Sequence, residues 1–89
     1  MLYSEIDPGA VFRIKSEFYP HIYSILKTQY IKIVIRDYDI GLIDYVAVDE
    51  RGKPSASYVL FRCTLDFIFR YFELYTHDMY DKLFELLKS

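Results

Sequence analysis

The sequence predicts an α+β fold in a single domain over residues 1–89: a kinked N-terminal helix, a three-stranded antiparallel meander and a long C-terminal amphipathic helix. Three observations predict it. An Asp-Pro pair opens a stretch with apolar residues at helical spacing. The middle of the chain alternates with period two and is rich in β-branched residues. From Thr64 onward the helical period returns. With 89 residues there is length for one domain, and no linker, internal repeat or low-complexity segment divides it.

Asp7-Pro8 reads as a helix start, because Asp favours the N-cap and Pro costs nothing at the first helical position. Val11, Ile14 and Phe18 follow at helical spacing. Val11, Arg13 and Lys15 also alternate with Phe12 and Ile14, which is a strand pattern, and the cap tips the reading to helix. Pro20 predicts a break or kink near Tyr19, after which Ile22, Ile25 and Leu26 form the inward side of a short second piece.

Tyr30 to Arg36 is the first predicted strand, with Ile31, Ile33 and Ile35 on one face and Tyr30, Lys32, Val34 and Arg36 on the other. Ile40 to Val48 is the second, with Leu42, Val46 and Val48 opposite Ile43, Tyr45 and Ala47. Asp49-Glu50-Arg51-Gly52-Lys53-Pro54 is a strong turn signal. Ser55 to Cys63 is the third strand, with Val59 and Phe61 opposite Tyr58, Leu60 and Arg62. Short connections favour antiparallel pairing. Leu65, Ile68, Phe72, Tyr75, Met79, Leu83 and Leu86 then recur at steps of three and four, with Thr64 as N-cap and a break expected around Thr76-His77-Asp78. A strand reading of Leu65 to Tyr75 is the alternative, since Phe67, Phe69 and Tyr71 alternate too. The expected core joins Ile33, Ile35, Val59, Phe61, Ile68 and Phe72. This order is similar to that of double-stranded-RNA-binding domains. Their lysine-rich start to the last helix is replaced here by Thr64-Leu65-Asp66-Phe67-Ile68.

Composition bounds the function. Hydrophobic residues make up 53% and aromatics 19%, the latter ten Tyr and seven Phe, so apolar surface exceeds what one small core needs and association is expected. A net charge of −2 and a pI of about 5.6 lack the basic excess of most nucleic-acid binders. The single Cys63 excludes an internal disulfide framework and fits a reducing, cytoplasmic compartment. Met1 to Pro8 has neither the basic start nor the apolar run of a secretory signal, and no apolar run approaches membrane-spanning length.

No catalytic, cofactor or metal constellation stands out. Cys63, His21 and His77 are not brought together by any spacing. They are also too few for a structural zinc site. Asp37 and Asp39 flank a turn but lack the rest of a calcium loop. Gly9, Gly41 and Gly52 are isolated, so there is no phosphate-binding loop. The sequence is therefore read as non-enzymatic and without cofactor.

The informative feature is the face expected to point away from the helices. It would carry Tyr30, Lys32, Arg36, Ile43, Tyr45, Tyr58, Leu60 and Arg62, a mixture typical of protein-binding hot spots. The leading expectation is a non-catalytic protein–protein interaction module, such as a small regulator, inhibitor or assembly subunit, binding a protein partner or itself as a homodimer. The alternative is a nucleic-acid-binding domain using the same Tyr, Lys and Arg side chains for stacking and phosphate contact. A second alternative is a small enzyme or enzyme subunit using Cys63 or the carboxylates.

Overall fold

The computed structural model describes residues 3–54 and 58–77. Among them, five strands and two helices run in the order β1 (Ala10–Ile14), α1 (Tyr19–Leu26), β2 (Tyr30–Asp37), β3 (Leu42–Val48), β4 (Phe61–Thr64), α2 (Leu65–Tyr71) and β5 (Phe72–His77). The strands form one antiparallel sheet in the order β4-β3-β2-β1-β5. The three-stranded meander with a kinked N-terminal helix and a long C-terminal helix is thus replaced by a five-stranded sheet with two short helices.

Each departure has a local cause. Asp7 does not cap a helix, because its carboxylate accepts from Tyr38 Oη at 2.7 Å and Arg36 Nη1 at 3.4 Å. Gly9 then adopts φ +94°, open to glycine but not to most residues, and turns the chain into β1. From there the alternation wins. Ala10, Phe12 and Ile14 face the helices and are fully buried, with Val11 and Arg13 on the reverse. Pro20 does not kink a continuous helix. It lies in the first turn of α1, where its missing N–H costs nothing. The helix closes at Lys27, which takes φ +58° and donates its backbone N–H to Tyr23 O at 2.7 Å.

The last helix is cut short in the same way. Thr64 caps α2 as expected, its hydroxyl accepting from Phe67 N at 3.2 Å. After seven residues the backbone turns extended at Phe72, and Phe72 to His77 pairs with β1. Lys15 holds the helix end by donating its Nζ to Arg70 O at 3.2 Å and Phe69 O at 3.4 Å, and its backbone N–H to Tyr71 O at 2.9 Å. The expected continuation through Met79, Leu83 and Leu86 lies outside the described residues. So does Ser55 to Ser57 of the third predicted strand, whose described residues enter the ladder only from Phe61 to Cys63, with Thr64 ending β4.

One core lies between the sheet and its helices. Phe12, Ile14, Ile31, Ile33, Ile43, Ile68 and Phe72 are its fully buried members, with Ile6 and Ile22 closing it from the N-terminal segment and α1. A smaller cluster on the reverse face joins Val11, Val46 and Val48 to Tyr30 and Val34. The turn after β3 folds over that face. A Cβ built at Gly52 would sit 3.4 Å from Val11 Cγ2, and Gly52 also has φ +79°.

The faces themselves are set by a β-bulge. Ile33 pairs with Tyr45 and Ile35 with Asp44, so Val34 is an extra residue without a partner. One inserted residue swaps the faces of everything after it. Ile35, expected in the core, is turned out and half exposed, whereas Arg36, expected outside, is turned in. Val59 and Phe61 also leave the expected core: both are about half exposed. Ile33, Ile68 and Phe72 are buried together as expected, although Phe72 arrives there from a strand.

Two substitutions test this arrangement by urea unfolding. Phe72→Ala should cost about 3–5 kcal/mol, the usual loss for a buried Phe; a loss under about half a kilocalorie would remove Phe72 from the core. Ile35→Lys should stay within about 0.5 kcal/mol of the parent, whereas Ile33→Lys should abolish folding. Equal damage from the two lysines would show that no bulge separates their faces.

Candidate protein-interaction surface

The residues expected to form one outer face are distributed over both faces and the edge. Tyr30, Lys32 and Val34 are on the reverse face as expected. The Tyr30 ring lies 4.9 Å from that of Tyr75, which in turn carries the Arg13 guanidinium at 5.6 Å. Arg62 is on the same face at the far side of the sheet, its Nε donating to Asp44 Oδ1 at 2.9 Å across the β3–β4 pair. That carboxylate also raises the Arg62 pKa.

Ile43 and Tyr45 lie instead on the helix-covered face and are buried. The pairing Ile33 with Tyr45 makes this unavoidable, since residues directly opposed share a face. Arg36 joins them there. Its Nη1 donates to Tyr3 O at 2.7 Å and Ile6 O at 3.0 Å, and its guanidinium carbon sits 4.4 Å from the centre of the Tyr38 ring. Arg36 therefore ties the N-terminal turn Tyr3–Glu5 to the sheet. Tyr3 completes the attachment by donating to Asp66 Oδ1 at 2.8 Å and stacking on Phe69 at 4.3 Å.

Tyr58 and Leu60 also remain outside as expected, and Val59 and Phe61 join them. Tyr58, Val59, Leu60 and Phe61 are 58%, 50%, 47% and 48% exposed, four consecutive large apolar residues leading into β4. The ladder with β3 stops at Tyr45 opposite Phe61, and Val48 bridges to Pro54 instead of Tyr58. Phe61 is oriented by stacking on Tyr45, ring centres 5.7 Å apart. In the strand order β4 is at one margin of the sheet and β5 at the other. Natural edge strands are guarded by charges, prolines or bulges. β5 has such guards: a bulge between its pairings with Val11 and Phe12, and Glu73 bonded to Arg13 at 3.0 Å. β4 carries one charged residue, the exposed Arg62 paired with Asp44, and no bulge interrupts its pairing with β3.

A sequence signal for this edge existed. A strand with one solvent face alternates, whereas Tyr58-Val59-Leu60-Phe61 is an unbroken apolar run. Reading Ser55 to Cys63 as one strand sets Val59 and Phe61 inward, whereas the ladder with β3 begins only at Phe61.

The groups considered for chemistry have structural partners. Burial, with a smaller contribution from Asp44, pushes the Cys63 thiol up to about 12, away from the thiolate needed of a nucleophile. Burial, followed by the Cys63 charge, raises the Tyr45 phenol to about 12 as well. Asp37 Oδ1 accepts from the backbone N–H of Asp39 at 3.0 Å and Ile40 at 3.3 Å, closing a turn. Asp49 does the same with Arg51 at 2.8 Å and Lys53 at 3.0 Å, and the Lys53 N–H chiefly holds its carboxyl below the ordinary value. Among the described residues no group of three His, Cys, Asp or Glu is placed to hold a metal ion. No helix there is long and apolar enough to cross a membrane.

Comparison with protein-family models, with curated proteins and with solved structures finds no match for this chain.

Cys63 and Tyr45 give a pH dependence with a definite sign. Both folded pKa values are raised, so the unfolded chain releases these protons first. The stability they contribute is complete below about pH 9, the ordinary thiol value, and is lost as pH climbs toward about 12. The urea midpoint should fall across that window, and Tyr45→Phe with Cys63→Ala should flatten the fall relative to the parent. An unchanged slope in the double variant would show that neither group is buried as described.

Proposed function

We propose that this chain is a non-catalytic protein-interaction module whose docking site is the marginal strand β4 together with the exposed approach to it, from Tyr58 to Thr64. The observation that carries the reading is the half-exposed apolar run leading into β4, the strand at one margin of the sheet among the described residues. An extended segment laid along such an edge gains main-chain hydrogen bonds, while side chains at alternate positions supply specificity. Tyr58 and Phe61 are aromatic anchors of the kind that dominate binding energy, and Arg62 can reach a partner from its exposed position beside them.

The nucleic-acid alternative receives less support. Of the three basic residues it needed, Arg36 is turned inward onto backbone carbonyls. Tyr45, expected to stack a base, is buried. The enzymatic alternative is weakened by the raised Cys63 pKa. The compartment we propose is the cytoplasm, where a lone thiol such as Cys63 stays reduced.

Site-specific photo-crosslinking in the native host tests the reading. A benzophenone amino acid at Leu60 should yield protein adducts. The same group at Ile25, more exposed but on α1 away from the edge, should yield few. Absence of adducts at Leu60, or equal yields at the two positions, would overturn the assignment of the edge.

A further inference from the structure

We infer that the occupant of this edge is a second copy of the chain, paired antiparallel through residues 58–62 on a two-fold axis at Leu60. The inference rests on the interaction reading above and goes beyond it by naming the partner and the register.

Self-complementarity decides the partner. In an antiparallel pair, directly opposed residues share a face, so a two-fold axis between identical strands must pass through a residue. With the axis at Leu60, Leu60 meets Leu60, Val59 of each copy meets Phe61 of the other, and Tyr58 meets Arg62. The Val–Phe pairs are β-branched on aromatic, a favourable cross-strand combination. Phe61 is already held on the helix-covered face by Tyr45; residues 58–60 lie outside the β3 ladder, and extending β4 through them on pairing sets Val59 on that same face. On the reverse face Arg62 meets the ring of Tyr58, a cation over a π-face, while its Nε keeps the Asp44 bond. Arg62 is the sole charge in the five residues, so no charge opposes its like. The next register, with the axis at Phe61, sets the Arg62 guanidinium against Leu60 and Cys63 against Val59, and loses both favourable pairings.

Area sets the strength. The exposed fractions of residues 58–62 amount to roughly 500 Å² per copy, so pairing removes up to about 1,000 Å² in all. Even that upper limit only reaches the threshold of a specific interface and is well short of an obligate dimer. The pairing is therefore reversible and concentration-dependent, and it joins two sheets across Leu60 through the apolar approaches to their β4 strands.

Sedimentation velocity of the full chain, from about 1 to about 500 µM, should show the mass rising from one chain toward two. Leu60→Arg places like charges on the axis and should weaken association at least tenfold, with Ile25→Arg unchanged. Leu60→Cys supplies the register readout: mild oxidation should link the introduced thiols of two copies, identified by peptide mapping, whereas a thiol introduced at Lys53 should not link. One-chain mass throughout the range, association indifferent to Leu60→Arg, or no link through the thiol at position 60 would each overturn the inference. If the chain stays monomeric while Leu60 photo-adducts contain a different protein, self-pairing fails and the edge reading stands. If Leu60 gives no adducts at all, both fail.

Discussion

The extra residue Val34 is the constraint on which the rest of the architecture depends. Without it, Ile35 would enter the core and Arg36 would face outward beside Lys32. With it, the face reverses in the last three residues of β2, and a guanidinium is delivered under the N-terminal segment. Carbonyls of that segment would otherwise lie against an apolar sheet with little to satisfy them. Arg36 supplies two charge-assisted bonds to them, each worth about 1.5–3 kcal/mol. Its Nε is buried without a partner among the described residues, so part of that gain is offset by desolvation. The net effect is positional: Ile6 is held at zero exposure over the sheet, and Asp7 becomes the hinge between Arg36 and Tyr38.

From that fixed N-terminus the sheet order follows. Gly9 donates to Ile33 O at 2.9 Å, which starts β1 alongside β2 and commits Ala10 to Ile14 to a strand. β1 then presents its other edge, and β5 takes it. Since β4 and β5 end up at opposite margins, α2 must carry the chain across the helix-covered face. It does so with Ile68 buried beneath it and its C-terminal carbonyls held by Lys15. The crossing leaves β5 covered by its own bulge and ion pair, and leaves β4 with an apolar approach on its outer side.

Much of this was legible in the sequence, and the failures have physical reasons. The alternation in Tyr30 to Ile33 and Leu42 to Val48 identified β2 and β3, and the turn at 49–54 and the Thr64 cap were read correctly. The two misread segments each satisfied both periods. Positions spaced four apart fit a helical turn and also share a strand face, so Ile68 and Phe72 look the same in either reading. At Ala10 to Ile14 the choice turned on Asp7-Pro8. That pair is a helix start only if the Asp side chain is free to cap, and here it is engaged by residues about thirty positions away. A long-range partner of that kind leaves no local trace.

The bulge is the clearest case of information absent from periodicity. Tyr30 to Arg36 alternates without a flaw, so a flawless strand is the natural inference, and the two face assignments at its end come out inverted. Unbroken alternation would set Arg36 on the outer face beside Lys32, where the structure instead has Ile35. The surface that survives is the one whose pattern was irregular. Tyr58-Val59-Leu60-Phe61 does not alternate, and a run that suits neither a half-buried strand nor a solvated loop is exposed on both sides of an edge. A half-buried strand meets apolar surroundings on one face, and alternation records that. The run Tyr58 to Phe61 records no such face, and all four of its side chains are about half exposed. For this chain, then, regular alternation located the scaffold, and the break in it located the exposed apolar run at the sheet's margin.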